Sequence, residues 1–325
     1  MGCGEIPVGG PFAIRRRWRL GAIAGALGLI SPCAAWLHAA DVVPRMLLLD
    51  GAVVGSEVIV VGERGTILRS GDQGRSWQAA LLPVRAPLTA ISVPPGEPGT
   101  SAWAVGHDAI ILVSRDAGRT WAVQFQGANP QESFLDVLAL DPRHIIAVGA
   151  DALYVESRDG GTTWSRRKIG EGDRHFNRLT RGPAGTLYLA GERGTLLRST
   201  DEGANWVQLA SPHDGSLYGI LPLDKRTLLA YGLSDHIYRS VDDGASWQPI
   251  KTPKSVLLAT AVQLKGDVIV LAGTAGTLLA SRDGGKNFSP LMESPTKGIA
   301  RLLEAPGGDL LALGETGATV LPRPQ

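Results

Sequence analysis

Ser70-Gly71-Asp72-Gln73-Gly74-Arg75-Ser76-Trp77 is one copy of a pattern, Ser-x-Asp-x-Gly-x-x-Trp, that returns five more times. The other copies begin at Ser114, Ser157, Ser199, Ser240 and Ser281, and the last ends in Phe288 in place of tryptophan. Successive copies start 44, 43, 42, 41 and 41 residues apart. A period in the forties marks a repeat architecture in which each unit is one supersecondary motif.

Each unit has the same internal grammar. In the second, Leu88–Val93, Ala102–Val105, Ile110–Val113 and Trp121–Gln124 are short apolar or alternating runs divided by Gly, Pro and Asp turns. Four such runs predict a four-stranded antiparallel meander, with the box in the turn between the third and fourth strands. A glycine closes every second strand: Gly62, Gly106, Gly149, Gly191, Gly232, Gly273 and Gly314. Seven glycines imply seven units. The seventh has runs at Ala300–Ala305, Leu310–Leu313 and Ala318–Leu321 and then lacks both box and fourth strand. The expectation is an all-β, seven-bladed β-propeller whose last sheet is completed by an N-terminal strand at Asp41–Arg45, closing the ring.

Ahead of the repeats, Arg15, Arg16, Arg17 and Arg19 precede an apolar run, Leu20–Ile30, and then small residues ending in Ala39-Ala40. That is the layout of a secretory signal peptide, and the run is short for a bilayer span. Cleavage is expected near Ala40, with Ala35 as a second candidate and an uncleaved anchor as the alternative. A lipoprotein reading through Cys33 suffers from Pro32, and Arg16-Arg17-Trp18 matches a twin-arginine signal poorly. The domain expectation is therefore a signal peptide over 1–40 and a propeller over 41–325, in an exported, periplasmic protein that touches the membrane at most peripherally.

The chain has 325 residues, 44% of them hydrophobic, enough for a sizeable core. Lys plus Arg (32) and Asp plus Glu (31) nearly cancel, which gives no reason to expect nucleic acid. Cys3 and Cys33 both lie in the leader, so a processed protein has neither disulfides nor cysteine chemistry. No cofactor and no metal site are expected. His107-Asp108 and Asp235-His236 suggest ligands, but no ligand spacing supports them.

In each box the aspartate can accept hydrogen bonds from the turn's own N–H groups, and the glycine supplies a backbone state that Cβ-bearing residues resist. The final aromatic starts the outer strand and buries a ring against the sheet. The pattern resembles the Asp-box, or BNR repeat, of sialidase-like and related propellers. The resemblance implies a structural, peripheral turn, so Asp72, Asp116, Asp159, Asp201, Asp242 and Asp283 are read as structural. Six aspartates in six equivalent positions also cannot all be one catalytic acid.

Asp-box propellers include enzymes. Sialidases carry an arginine triad, one member in an Arg-Ile-Pro-like motif before the first box, and a Tyr–Glu pair. Here the pre-box segment reads Val43-Pro44-Arg45-Met46. Tyr154, Tyr188, Tyr231 and Tyr238 fall in second or third strands, and only Tyr218 begins an inner strand. Xyloglucan hydrolases with such boxes pair two propellers and are over twice as long. A sialidase-like glycoside hydrolase and a glycan-binding propeller remain the alternatives. The phrase Val61-Gly-Glu-Arg-Gly-Thr-Ile-Leu-Arg-Ser70, echoed at 190–199, is similar to the repeat of the photosystem II stability/assembly factor family. That resemblance implies an exported seven-bladed propeller without catalysis. It also implies a chaperone-like role in assembling a membrane or exported protein, in a photosystem-like or transporter complex, partly through an arginine-rich patch. A monomer is expected.

With this strand order, the second-to-third turns and the blade-to-blade connections share one face, opposite the boxes. Candidate binding residues on that connection face are Arg64, Arg85, His107, Arg166, Arg167, Arg174, Arg193 and His236, a basic set suited to an acidic peptide, lipid headgroup or glycan. Lys168, His175, His213, Lys251, Lys254 and Lys297 extend it. Phe134, Phe176 and Tyr218 each begin an inner strand, where they either ring the channel mouth or plug the core.

Overall fold

The computed structural model describes residues 45–96, 101–233, 236–253, 255–292 and 297–324. They form seven antiparallel sheets, each a meander in chain order from an inner to an outer strand. Blade I comprises Leu48–Val54, Glu57–Gly62, Thr66–Ser70 and Gln78–Ala79, and blade II Leu88–Ser92, Ala102–Gly106, Ile110–Ser114 and Ala122–Gln126. Blade III comprises Phe134–Ala139, Ile145–Gly149, Tyr154–Ser157 and Ser165–Arg166, and blade IV Phe176–Arg181, Leu187–Gly191, Leu196–Ser199 and Val207–Gln208. Blade V comprises Leu217–Pro222, Leu228–Gly232, His236–Ser240 and Gln248–Lys251, and blade VI Leu258–Gln263, Ile269–Gly273, Leu278–Ser281 and Ser289–Pro290. Blade VII has Ile299–Glu304, Leu310–Gly314 and Gly317–Leu321, three strands among the described residues. The chain is an all-β, seven-bladed propeller. The segment expected to close it falls at 41–44, outside the described residues, and Arg45 is not in a strand.

The second strands of blades II to VII are buried at every residue, which is why they read as continuous apolar runs such as Ile145-Ile-Ala-Val148 and not as alternating ones. Both faces of each sheet are covered by neighbouring blades. The core is accordingly not one mass but seven apolar clusters, one at each junction. Between blades II and III, for example, Trp103, Val105 and Ile111 meet Phe134, Val137 and Val155. Between VII and I, Leu303, Leu311 and Leu313 meet Leu48, Val58 and Val60.

The seven second-strand glycines have one physical cause. A Cβ at Gly62, Gly106, Gly149, Gly191, Gly232, Gly273 or Gly314 would lie 1.8 to 2.4 Å from a carbonyl oxygen just before the inner strand. That carbonyl accepts the N–H that follows each glycine, for example Glu63 to Leu47 at 3.0 Å and Thr274 to Leu257 at 3.0 Å. The close approach goes with a register shift at the start of every inner strand, as between Leu48 and Asp50 or Ile299 and Arg301.

Candidate partner-binding face

The box turns define one face and are chemically self-contained. Ser70 Oγ donates to Asp72 Oδ1 (2.8 Å) and accepts the Gly74 N–H (2.7 Å). Asp72 Oδ1 accepts the Ser76 N–H (2.8 Å), and its Oδ2 accepts the Ser76 hydroxyl (2.6 Å). The same donation to Oδ2 recurs from Thr120, Thr163, Asn205, Ser246 and Asn287 at 2.6 to 2.8 Å. The seventh box position is thus always Ser, Thr or Asn, a signal present in the sequence but concealed when the pattern is written with two free positions before the aromatic. Hydrogen bonds from Ser76 hold the Asp72 carboxyl down at about 2, and those from the Thr163 N–H and hydroxyl do the same for Asp159. Carboxylates held this low lack the proton affinity for acid–base chemistry near neutrality.

The box aromatics reach across blades. Trp77 packs into the VII–I cluster, Trp121 into I–II, Trp164 into II–III and Trp206 into III–IV, each wedging its own blade against the preceding one. Each ring sits just before the outer strand instead of inside it, because that strand begins one residue later, at Gln78 in blade I. Among the described residues blade VII shows no box, and the VI–VII cluster holds no such aromatic.

Arginines reach forward in the same way. Arg115 donates to the Gly160 carbonyl (2.6 Å), Arg239 to Gly284 (3.0 Å), and Arg198 to Asp243, each in the next blade's box. Arg167 belongs to this set. It donates to Gly203 O (2.9 Å) and Ala204 O (2.6 Å) of the blade IV box and to Glu156 (2.8 Å). Glu156 is buried and also bound by His144 (2.8 Å) and Arg158 (2.5 Å).

The connection face is built from tight second-to-third turns. Arg64 (φ 55°) and Gly65 (φ 67°) are consecutive left-handed residues, as are Arg193 (φ 50°) and Gly194 (φ 67°), the backbone of a type I′ hairpin turn. Blades II and III make the same turn without glycine, through Asp108-Ala109 and Asp151-Ala152. Each tip stands against the adjoining connection: Gly65 lies against the backbone of Val84 and Arg85, and the Gly194 N–H donates to Gly215 O (2.8 Å). Arg64 and Arg85 are therefore neighbours at blades I and II, both exposed. Arg174 sits between two turns: its carbonyl accepts the Ala152 N–H (3.0 Å) and its Nη1 lies 3.5 Å from Thr195 Oγ1 on blade IV, beside Arg193. His175 Nδ1 lies 3.0 Å from the Asp151 N–H and accepts it. His107 is exposed on the blade II turn. His236 opens the third strand of blade V, but its side chain lies outside the described residues, as do Asp235 and Lys254.

Two features could not be read from cation positions alone. Arg166 is clamped by Glu132 in a bidentate pair (2.9 and 2.6 Å), which holds the Glu132 carboxyl below its ordinary range. Acids also share the face: Glu63, Asp108, Asp151, Asp173, Glu192 and Glu315 all stand on its turns or connections. A cleft of about 400 Å³ opens beside blade III, lined by Asn129, Glu132, Asp151, Arg166, Lys168 and Asp173 over a floor of Ala150, Ala152 and Leu153. Among the described residues no group of three His, Cys, Asp or Glu side chains could hold a metal ion. Phe134 and Phe176 lie in the II–III and III–IV cores, and Tyr218 is half-buried at V–VI.

Residues 123–253 match the family model described as photosynthesis system II assembly factor YCF48. No curated protein matches the sequence. The fold is shared with a solved structure titled YCF48 bound to D1 peptide, with 19% identity over 86% of this chain and 94% of that one and a TM-score of 0.72. It is shared equally with YCF48 from Cyanidioschyzon merolae, with 17% identity, coverage of 87% and 98%, and a TM-score of 0.71. The WD40 propeller domain of Doa1 is similar at 12% identity, coverage of 85% and 92%, and a TM-score of 0.68.

Proposed function

We propose that this chain works as a YCF48-type assembly propeller: a non-catalytic, exported binding factor that holds a segment of a membrane or envelope protein while its complex is assembled. The observation that carries this reading is the match of residues 123–253, three blades and the strand before them, to the assembly-factor family model. A related fold has been solved with a D1 peptide bound, so a peptide is the first ligand class to test.

The chemistry of the two faces supports it. Box carboxylates are committed to their own turns. Tyr154, Tyr188, Tyr231 and Tyr238 are buried, and burial pushes the Tyr154 hydroxyl up to about 12, which suits no nucleophile. Exposed charge on the connection face instead sits on rigid two-residue turns, where Arg64 and Arg193 hold long cationic side chains on backbone unfavourable to them. The binding surface is assigned to Arg64, Arg85, Arg174 and Arg193, with His107 at its margin. Arg166 engages a partner only where the partner can compete with Glu132, and Arg167 serves the III–IV junction.

The test is binding of fluorescent acidic peptides to the leaderless protein and to an Arg64→Glu/Arg193→Glu variant. Micromolar binding lost at least tenfold in the variant, with unchanged thermal stability, is the expected result. Equal binding by both proteins would remove the connection-face assignment. Turnover of fluorogenic glycosides that depends on one carboxylate would remove the non-catalytic reading altogether.

A further inference from the structure

Six of the seven blade junctions fall between an outer strand and the inner strand that follows it in the chain; among the described residues no such succession spans the junction between blades VII and I. Around the axis, side chains of the inner layer tie each blade to the next. Asp50 Oδ2 accepts the Ile91 N–H (3.1 Å) from blade II, and Ser92 Oγ accepts the Ala139 N–H (3.0 Å) from blade III. Asp136 Oδ2 accepts the Leu179 N–H (2.6 Å), and Asn177 Nδ2 donates to Leu217 O (2.9 Å). The Tyr231 hydroxyl, passing over Gly219, accepts the Ala261 N–H, and Thr260 Oγ1 accepts the Leu302 N–H (3.2 Å).

These six links join a side chain to backbone, and each lies at a junction that the chain also crosses. The seventh is different in kind. Arg301 Nε of blade VII lies 3.0 Å from Asp50 Oδ1 of blade I, with the N–H off the line of centres, so the contact is ionic. The Asp50 side chain is 2% exposed and that of Arg301 27%. Among the described residues this axial ion pair therefore falls at the one junction that no succession of described strands spans. A second pair, Arg75 to Asp309 (3.5 Å), spans the same junction at the box face, but it is solvent-exposed and correspondingly weak.

We propose that Asp50 and Arg301 form a clasp that keeps the ring shut at the VII–I junction. Asp50 is its pivot, holding Arg301 with one oxygen and the blade II backbone with the other. Removing Arg301 strips the buried Asp50 carboxylate of the cation in contact with it, which makes the clasp more sensitive than a neutral link. Loss of the clasp opens the ring locally at blades I and VII and leaves the connected blades closed.

Hydrogen exchange by mass spectrometry on the full propeller tests this with Asp50→Asn, Arg301→Leu and, as control, Thr260→Val. Either clasp variant should speed exchange at least tenfold in Val58–Val61 and Leu310–Leu313, and leave the second strands of blades III to V within twofold of the parent. Thr260→Val, at a connected junction, should change the same peptides less than threefold. Exchange raised evenly around the ring, unchanged exchange in the clasp variants, or equal opening by Thr260→Val would each overturn the proposal. If both clasp variants fail to fold while Thr260→Val folds, the clasp stands; if all three fail, the junction is not special and the proposal falls.

Discussion

The two faces of this propeller are built from turns of the same sheets, yet they differ in what satisfies their polar groups. On the box face each turn closes on itself within eight residues, and on blades III to VI an arginine from the preceding blade donates to a box carbonyl. On the connection face the turns are also tight, but their tips differ from blade to blade in charge: Arg64 on blade I and Arg193 on IV, Asp108 on II and Asp151 on III. A repeat that satisfies its own hydrogen bonds builds the fold. A rigid turn whose tip is free to vary carries recognition, because any side chain placed there starts from a fixed position.

That contrast makes the second-strand glycines the most sensitive points, since they fix the framework under the variable tips. Gly273→Ala should cost about 3 kcal/mol, because its Cβ would meet the Leu257 carbonyl at 1.8 Å and backbone cannot yield as a side chain can. Gly71→Ala, in a box but with nothing within 4 Å of the added carbon, should stay within about 0.5 kcal/mol in urea unfolding. Similar losses at the two sites would erase the distinction between close approach and ordinary turn.

Next in size are the buried box hydroxyls. Ser157→Ala strands the buried Gly161 N–H, now donated to Ser157 Oγ at 2.7 Å, and should cost about 1–2 kcal/mol, visible as a lower Tm. Partner binding at the opposite face should not change.

The pH dependence separates the boxes from the axis. The Asp72 carboxyl, held down at about 2 by Ser76 from an ordinary value of 3.8, stabilises the fold fully above pH 4, and that contribution is lost as pH falls toward 2. Asp136 behaves oppositely. Burial raises it to about 6, so its contribution is fully present below pH 3.8 and is lost as pH rises through 6. Denaturant unfolding from pH 2 to 7 should therefore show an acid limb common to the boxes and a gentler decline between pH 4 and 6. Asp136→Asn should abolish the decline and keep the acid limb.

The smallest effect is the most telling for function. Arg64→Gly and Arg193→Gly relieve left-handed strain and should each stabilise the fold by about 0.5–1 kcal/mol while weakening peptide binding. A gain in stability with a loss of binding marks a tip kept for recognition. A loss of stability would mean that these arginines support the framework after all.

Blade number, strand order and the position of the boxes are legible in the sequence because they depend on local periods: a glycine at each second-strand end and a serine, an aspartate and a glycine within five residues. The seventh box position was equally available, since Ser76, Thr120, Thr163, Asn205, Ser246 and Asn287 share one donor chemistry. What could not be read was which cations are free. Arg166 finds Glu132 34 residues back, and Arg167 reaches carbonyls 36 and 37 residues ahead in the next blade. In a linear reading both look like exposed basic residues beside Lys168.

For this protein, then, the sequence by itself determined the ring, its seven units and the two faces, because backbone hydrogen bonding and turn geometry are settled within a few residues. The tertiary structure alone decided that Asp50 meets Arg301, that Glu156 is buried beneath His144 and Arg167, and that each box aromatic wedges against the preceding blade. Those outcomes depend on which atoms of neighbouring blades meet across a junction, and a charge or a ring can find its partner only once the ring exists.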